Sequence, residues 1–292
     1  MVLKQTKKQQ LANDKALTSI IAYIKRMNKS VSNRQVYSLE KIPRRTFENA
    51  KKQFSINLQK MIDYCNSLEA KEKDLILDYT LISQEMKIID RPYNLIYNHN
   101  SKSKEPCLVL LFAILRVDDK IFPLSFDYWI QDIMLEENEL YLTKTEIAQA
   151  MINNIITKEL LFDYVSFDAG FCSPELLQFI DSKDKKFICR FPKSRKFTIN
   201  SEVEKDRTET AQSIFKNEHN GSFYYDRMFG FERFVYCQYA DLNIQLILVA
   251  NSKDKLVNRD FYCVITNDLE LRYTQVLRRY KNRNCIEFFL KT

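Results

Sequence analysis

The sequence predicts an α/β fold: a mixed sheet flanked by helices, with a helical region ahead of it and an antiparallel β insertion before a last helix. Three observations carry this reading. Between residues 74 and 191 the hydrophobic period switches between two and about 3.6, in the order β-β-β-α-β-α-β. Residues 192–260 hold a polar segment and then three strand-like runs. The final stretch, 271–292, reads LRYTQVLRRYKNRNCIEFFLKT, contains no Gly or Pro, and is dominated by good helix formers.

Taken in order, residues 1–72 read as helices on a basic background, with an apolar pattern from Leu11 to Met27 and an amphipathic stretch from Ser38 to Asn66. Pro43-Arg44-Arg45-Thr46 marks a turn and a helix start. Basic helices joined by a short turn suit a DNA-binding module, with Arg44, Arg45 and Lys51 as contact candidates, and equally an ordinary helical hairpin. After the charged hinge 69–74 comes a first strand, DLILDYTLIS, holding Asp78. A polar loop from Arg91 to Lys104 leads to Cys107–Val117, apolar enough for a strand buried on both faces. Asp118-Asp119 turns the chain into Lys120–Ile130, where Phe122, Leu124, Phe126 and Tyr128 alternate. A helix over Thr145–Lys158 follows, then a fourth strand, Phe162–Phe167, ending at Asp168-Ala169-Gly170-Phe171, where Gly170 is expected to supply a positive φ. Ser173-Pro174 caps and starts a helix to Ser182, and Lys186–Phe191 is a fifth strand. Within the insertion the strand-like runs are Ser222–Phe229, Arg233–Tyr239 and Asn243–Ala250, and Phe261–Thr266 leads back to the last helix.

A strand–helix–strand crossover makes a parallel pair, and the right-handed rule limits where the fourth strand can go. Placed beside the first strand, it projects Asp168 and Asp78 from neighbouring strands on one side of the sheet. That is the ribonuclease H-like topology.

Composition narrows the chemistry. With 45% apolar and 28% charged residues over 292 positions, the chain has a globular balance and enough length for a substantial core. Its net charge of +7 is uneven: residues 1–60 hold 14 Lys/Arg against 3 Asp/Glu, and the remainder 31 against 35. A basic arm ahead of a slightly acidic body implies a polyanionic partner for the arm and clustered carboxylates in the body. The seven cysteines form no C-x-x-C pair, which argues against a zinc ribbon or disulfide framework and for a reduced, cytoplasmic setting. Two histidines, His99 and His219, are too few for a His-rich metal site, and the three glycines assemble no phosphate-cradling motif. The longest apolar run, Cys107–Leu115, is too short to span a bilayer, so no membrane partner is expected.

At about 100° per residue, Tyr280, Arg283 and Glu287 fall on one face of the last helix. Singly, Arg283 and Glu287 read as a solvated pair four apart, and Asp78 and Asp168 as turn or strand-end residues. Jointly, Asp78, Asp168 and Glu287 make a set that, if converged, holds two Mg²⁺ or Mn²⁺ ions through hard oxygen ligands. Such a pair clamps the attacking and leaving oxygens of a phosphodiester.

These residues resemble the DDE transposases of bacterial insertion sequences, in the group with a Y-x₂-R-x₃-E-x₆-K signature. Tyr280, Arg283 and Glu287 match its first three letters, LILDYT matches the first catalytic aspartate at Asp78, and VSFDAGF with the following Leu-Leu helix and FICRF matches the second at Asp168. The likeness covers roughly residues 74–292. It implies a catalytic domain over 73–292, metal-assisted cleavage at transposon ends, and attack of the freed 3′-hydroxyl on target DNA. Asp78, Asp168 and Glu287 would be metal ligands, Tyr280 and Arg283 would contact phosphate or end nucleotides, and Arg279 and Lys291 would touch DNA, with Thr80 a lesser candidate. It further implies double-stranded DNA as partner, a homodimer on DNA, and a nucleoid-associated protein of the bacterial cytoplasm. Two departures stand out: the signature lysine falls two residues beyond Thr292, and Asn284 stands where the family usually has Trp. The alternative expectation is therefore a truncated, inactive transposase remnant that only binds DNA. A host nuclease of ribonuclease H type is a third.

Overall fold

The computed structural model describes residues 58–83, 94–98, 102–132, 135, 140–199, 207–216 and 223–285. The expected helices over 1–57, His99, His219 and the stretch 286–292 lie outside these residues. The chain divides into two compact units, one taking in Met1–Lys73, Asp78–Leu161 and Cys285–Thr292, the other Asp74–Leu77 and Phe162–Asn284.

In the first unit, helix α1 (58–67) buries Leu58, Ile62 and Cys65, a four-then-three spacing that makes one helical stripe. Asn66 ties this helix to the unit twice, donating to the Glu159 carbonyl at 2.8 Å and accepting from the Leu161 amide at 2.9 Å. Strands β1 (Lys73–Ser83), β2 (Asn94–Asn98), β3 (Ser103–Val117) and β4 (Lys120–Trp129) follow, and β2 and β4 both pair antiparallel with β3. β2 falls inside the stretch expected to be a polar loop. Its flanking asparagine is the reason: Asn94 is fully buried and donates to the carbonyls of Cys107 and Trp129, so a polar residue here serves the sheet rather than solvent. The β3–β4 turn lies at Asp118, as expected. Asp118 adopts φ 50° and its carboxylate accepts from the Lys71 and Glu72 amides. Pro123 is tolerated within β4 because the ladder slips beside it, between Ala113 and Ile114, where one donor fewer is needed. Helix α2 (Lys144–Thr157) starts one residue before its expected position, in a capping box where Thr143 and Glu146 satisfy each other's backbone amides.

In the second unit, Asp74–Leu77 of β1 pairs parallel with β5 (Tyr164–Phe167), and β5 pairs parallel with β6 (Lys186–Phe191). Between β5 and β6 lie a 3₁₀ turn (Ala169–Phe171) and helix α3 (Pro174–Ser182), which Ser173 caps by accepting from the Leu176 amide. Gly170 has no positive φ, contrary to expectation. The right-handed 3₁₀ turn, closed by the Phe171 amide on the Asp168 carbonyl, keeps φ negative throughout. The insertion contributes β7 (Lys196–Ile199), β8 (Arg207–Thr210), α4 (Ala211–Lys216), β9 (Tyr224–Asp226), β10 (Gly230–Tyr239), β11 (Leu242–Ala250) and α5 (Lys253–Val257), its strand pairs all antiparallel. The polar segment thus contains a strand and a short helix of its own. Strand β12 (Tyr262–Thr266) pairs with β11 and β6, both antiparallel. Helix α6 (Tyr273–Asn282) closes the unit; it is shorter than the 271–292 helix expected. Asp268 draws the Glu270 and Leu271 amides into a turn ahead of it, and i→i+3 bonds from the Arg283 and Asn284 amides tighten its end.

The hydrogen-bonded strand order is β2-β3-β1-β5-β6-β12-β11-β10-β7-β8, with β4 on β3 and β9 on β10. The run β4-β3-β1-β5-β6 has the ribonuclease H-like order, and the fourth core strand does lie beside the first.

Candidate functional site

Side-chain alternation assigns the faces. In register, Asp74 pairs Tyr164, which pairs Lys186, and Ile76 pairs Ser166, which pairs Ile188, so these residues share one side of the sheet. Helix α6 lies on that side. Val276, Leu277 and Tyr280 bury against Tyr164, Ile188, Ile247, Val249 and Val264. Asp168 continues the Tyr164, Ser166 alternation and therefore emerges on the α6 face, just past the end of β5.

There it meets the last helix. The Tyr280 hydroxyl donates to Asp168 Oδ1 at 3.3 Å. Burial pushes the Tyr280 phenol up, and although the Arg283 guanidinium opposes the shift, the Asp168 charge adds to it, so the phenol stays protonated and remains a donor. Arg283, one turn on, is 7% exposed, with its guanidinium 5.5 Å from the Tyr280 ring centre. Tyr280 is 8% exposed, so this pair is packed into the unit rather than forming a solvated helix face.

Arg279 is anchored to the sheet. Its Nη1 lies 2.6 Å from Asp74 Oδ1 and 3.5 Å from Asp163, and the guanidinium stacks 4.4 Å from the Tyr164 ring centre. The Tyr164 hydroxyl in turn hydrogen-bonds Asp268, ahead of α6. These contacts fix where α6 sits and hence where Tyr280 points. Arg190 shares this face, two residues past Ile188, and lies exposed over the Tyr262 ring. Neither the Asp74–Arg279 pair nor Arg190 was singled out from the sequence. Period-two alternation in KDLILD and KFICRF would have put Asp74 and Arg190 on this side, but only a known register reveals which side that is.

Asp78 follows Leu77 directly, and Leu77 is the register partner of Phe167, which directly precedes Asp168. Asp78 is part-buried, and its carboxylate accepts from the Tyr79 amide at 2.8 Å; Thr80 is part-buried as well. Arg44, Arg45, Lys51, Glu287 and Lys291 lie outside the described residues. Among the described residues no three His, Cys, Asp or Glu side chains cluster as a metal site, and no helix is long and apolar enough to cross a membrane. Asp78 and Asp168 bring the hard carboxylate oxygens that Mg²⁺ or Mn²⁺ prefers, and the third expected donor belongs to the undescribed end.

No family model matches the chain, and no curated protein matches its sequence. Solved structures weakly similar to it include a transposase complex and a nuclease. The Drosophila P element transposase strand transfer complex shares 15% identity at a TM-score of 0.25, over 71% of this chain and 49% of that one. The NurA nuclease from Sulfolobus solfataricus shares 9% identity at a TM-score of 0.33, over 87% of this chain and 86% of that one. The chain spans about half the length of the P element transposase chain. Likenesses at these TM-scores assign the chain no activity.

Proposed function

We propose that the chain is a metal-dependent DNA transposase of the DDE type, acting on double-stranded transposon ends through Asp78, Asp168 and Glu287. The observation that carries this is the parallel register of Leu77 with Phe167. It supports the reading because Asp78 and Asp168 are the residues that directly follow this pair in the chain. The hydroxyl of Tyr280 on Asp168 supports the reading, because it ties α6 to the second aspartate.

In this proposal Asp78, Asp168 and Glu287 would hold two Mg²⁺ or Mn²⁺ ions, which would supply Lewis-acid activation for phosphodiester cleavage and transfer. The chain's own residues orient the acids and the DNA. Tyr280 holds Asp168 in one rotamer, Arg283 supplies positive charge beside it, and Arg44, Arg45 and Lys51 in the basic region 1–72 grip phosphate, with residues 73–292 forming the catalytic domain. Arg279 acts here through its grip on Asp74, and Lys291 by contact with DNA. The active form on paired ends is a homodimer.

The test is strand cleavage of a duplex bearing the inverted repeats that flank the coding sequence, with Mn²⁺ or Mg²⁺. Wild type should nick it, chelation should stop the reaction, and Asp168→Asn or Glu287→Gln should abolish cleavage while DNA binding persists. Cleavage that survives either substitution at the wild-type rate rules the reading out.

A further inference from the structure

One cation of the first unit stands without a counter-charge. Lys144 is the first residue of α2, directly after its cap Thr143. Its side chain is half-buried, and the ammonium nitrogen lies 4.6 Å from the ring centre of Tyr79 and 4.6 Å from that of Trp129. Beyond these two rings it makes no ion pair or hydrogen bond among the described residues. The carboxylate nearest in sequence, Glu146, is turned back onto the Thr143 amide and hydroxyl at 2.7 and 2.8 Å. Lys73, also half-buried in this unit, differs: it donates to the Cys65 and Asn66 carbonyls at 3.0 and 3.4 Å.

Its position is unfavourable for a cation. A helix start carries the positive end of the macrodipole, where lysine brings the wrong sign. Burial lowers the ammonium's pKa, and the one charge opposing this is that of Cys107, whose own thiol burial pushes up to about 11 and so leaves neutral. The two rings attract the charge but offer no oxygen to its three N–H donors. The Trp129 indole N–H is likewise buried without an acceptor, so two donor groups here lack an oxygen. Tyr79 directly follows Asp78, whose carboxylate accepts the Tyr79 amide at 2.8 Å. The unpaired ammonium is therefore packed on the residue next to a proposed metal ligand.

We propose that Lys144 binds a backbone phosphate of the DNA strand handled at Asp78, tilting off its two rings to reach a non-bridging oxygen. The inference rests on the function proposed above and adds a DNA contact outside the basic region 1–72. Phosphate is the anion a duplex presents at every step, and an ammonium is a compact donor that meets it from any direction. The aromatic pair keeps the side chain pointed and partly dehydrated before DNA arrives, so less ordering is needed on contact. The bond formed is charge-assisted, and it fixes the strand beside Asp78 without reading its sequence.

The experiment measures binding of the full chain to the flanking-repeat duplex in EDTA, where no metal-dependent step enters, by anisotropy of a labelled duplex over a salt series. Emission of Trp129, the chain's one tryptophan, is read in parallel with unlabelled duplex. Lys144→Met keeps a long side chain against the rings and removes the charge. It should weaken binding about tenfold at low salt and lower the slope of log K against log salt by about 1. The change in Trp129 emission that DNA causes in wild type should vanish with it. Lys144→Arg, which keeps the charge, should restore the slope. Wild-type affinity and slope in Lys144→Met, or a loss that Lys144→Arg does not recover, would overturn the proposal. The two readings fail separately. A duplex held through Lys144 but never cut with Mn²⁺ or Mg²⁺ supports this contact and removes the transposase reading, whereas a duplex cut by wild type and bound equally well by Lys144→Met removes the contact alone.

Discussion

Glu232 lies in the middle of the second unit's sheet with 1% of its surface exposed, and neither carboxylate oxygen has a hydrogen-bond partner among the described residues. It faces Tyr224 across the β9–β10 ladder and Val249 across the β10–β11 ladder. Phe234, two residues along, stacks on Tyr273 of α6 at 5.3 Å, which covers this side of the strand. Burial pushes the Glu232 carboxyl from 4.5 up to about 7, with the nearby Asp226 charge adding to the shift. Burial raises the phenols of Tyr262 and Tyr273, and the charge of ionised Glu232 adds to both shifts. Because the folded acid holds its proton more tightly than the unfolded one, its contribution is complete below pH 4.5 and lost as pH rises to about 7. A shift from 4.5 to about 7 corresponds to about 3 kcal/mol. Replacing the acid by Gln removes the titration and keeps the shape. The assay is urea unfolding of wild type and Glu232→Gln from pH 4.5 to 8. The stability difference should move in favour of the variant by about 3 kcal/mol across that window. Parallel curves, differing by a constant, would refute the claim that this carboxyl is buried without a partner.

Three further outcomes follow from the same geometry. Gly230 has φ 95°, and a Cβ there would lie 2.6 Å from the Ala250 carbonyl, so Gly230→Ala should lower stability by about 2 kcal/mol or more in thermal melts. Asp74→Asn leaves Arg279 facing a neutral amide and should cost about 3 kcal/mol in urea unfolding, whereas the double change Asp74→Leu, Arg279→Met should recover most of that loss. Tyr280→Phe removes the donor to Asp168. Stability should fall by about 1 kcal/mol, and cleavage, measured on the flanking-repeat duplex, should fall more steeply than DNA binding.

Much of the core could be read locally. The fifth strand, Lys186–Phe191, was expected with those bounds, and the helix after Ser173-Pro174 starts where its cap and proline say. Asp118 turns β3 into β4 as its position between two strand runs implies. Misreadings came where a residue's partner was distant. NLIYN looked like loop because Asn94 is polar, yet its amide serves two carbonyls 13 and 35 residues away. The last helix looked continuous because nothing in its composition marks the tightened turn at Arg283. Gly170 looked like a positive-φ residue because glycine allows that conformation, although nothing obliged it to adopt it.

Taken alone, the amino-acid order determined most of the core strands and helices, that Asp168 follows the end of a strand while Asp78 interrupts an apolar one, and that Tyr280 and Arg283 lie one turn apart at the end of the last helix. Those properties depend on residues two to four apart, which the backbone brings together whatever the rest of the chain does. The tertiary structure decided the register of Leu77 with Phe167, the face α6 covers, the contact of Tyr280 with Asp168 112 residues away, and the pairing of Asp74 with Arg279 across 205. A slip of one residue in β1 would turn its acids to the opposite side, and only packing of the whole sheet forbids it.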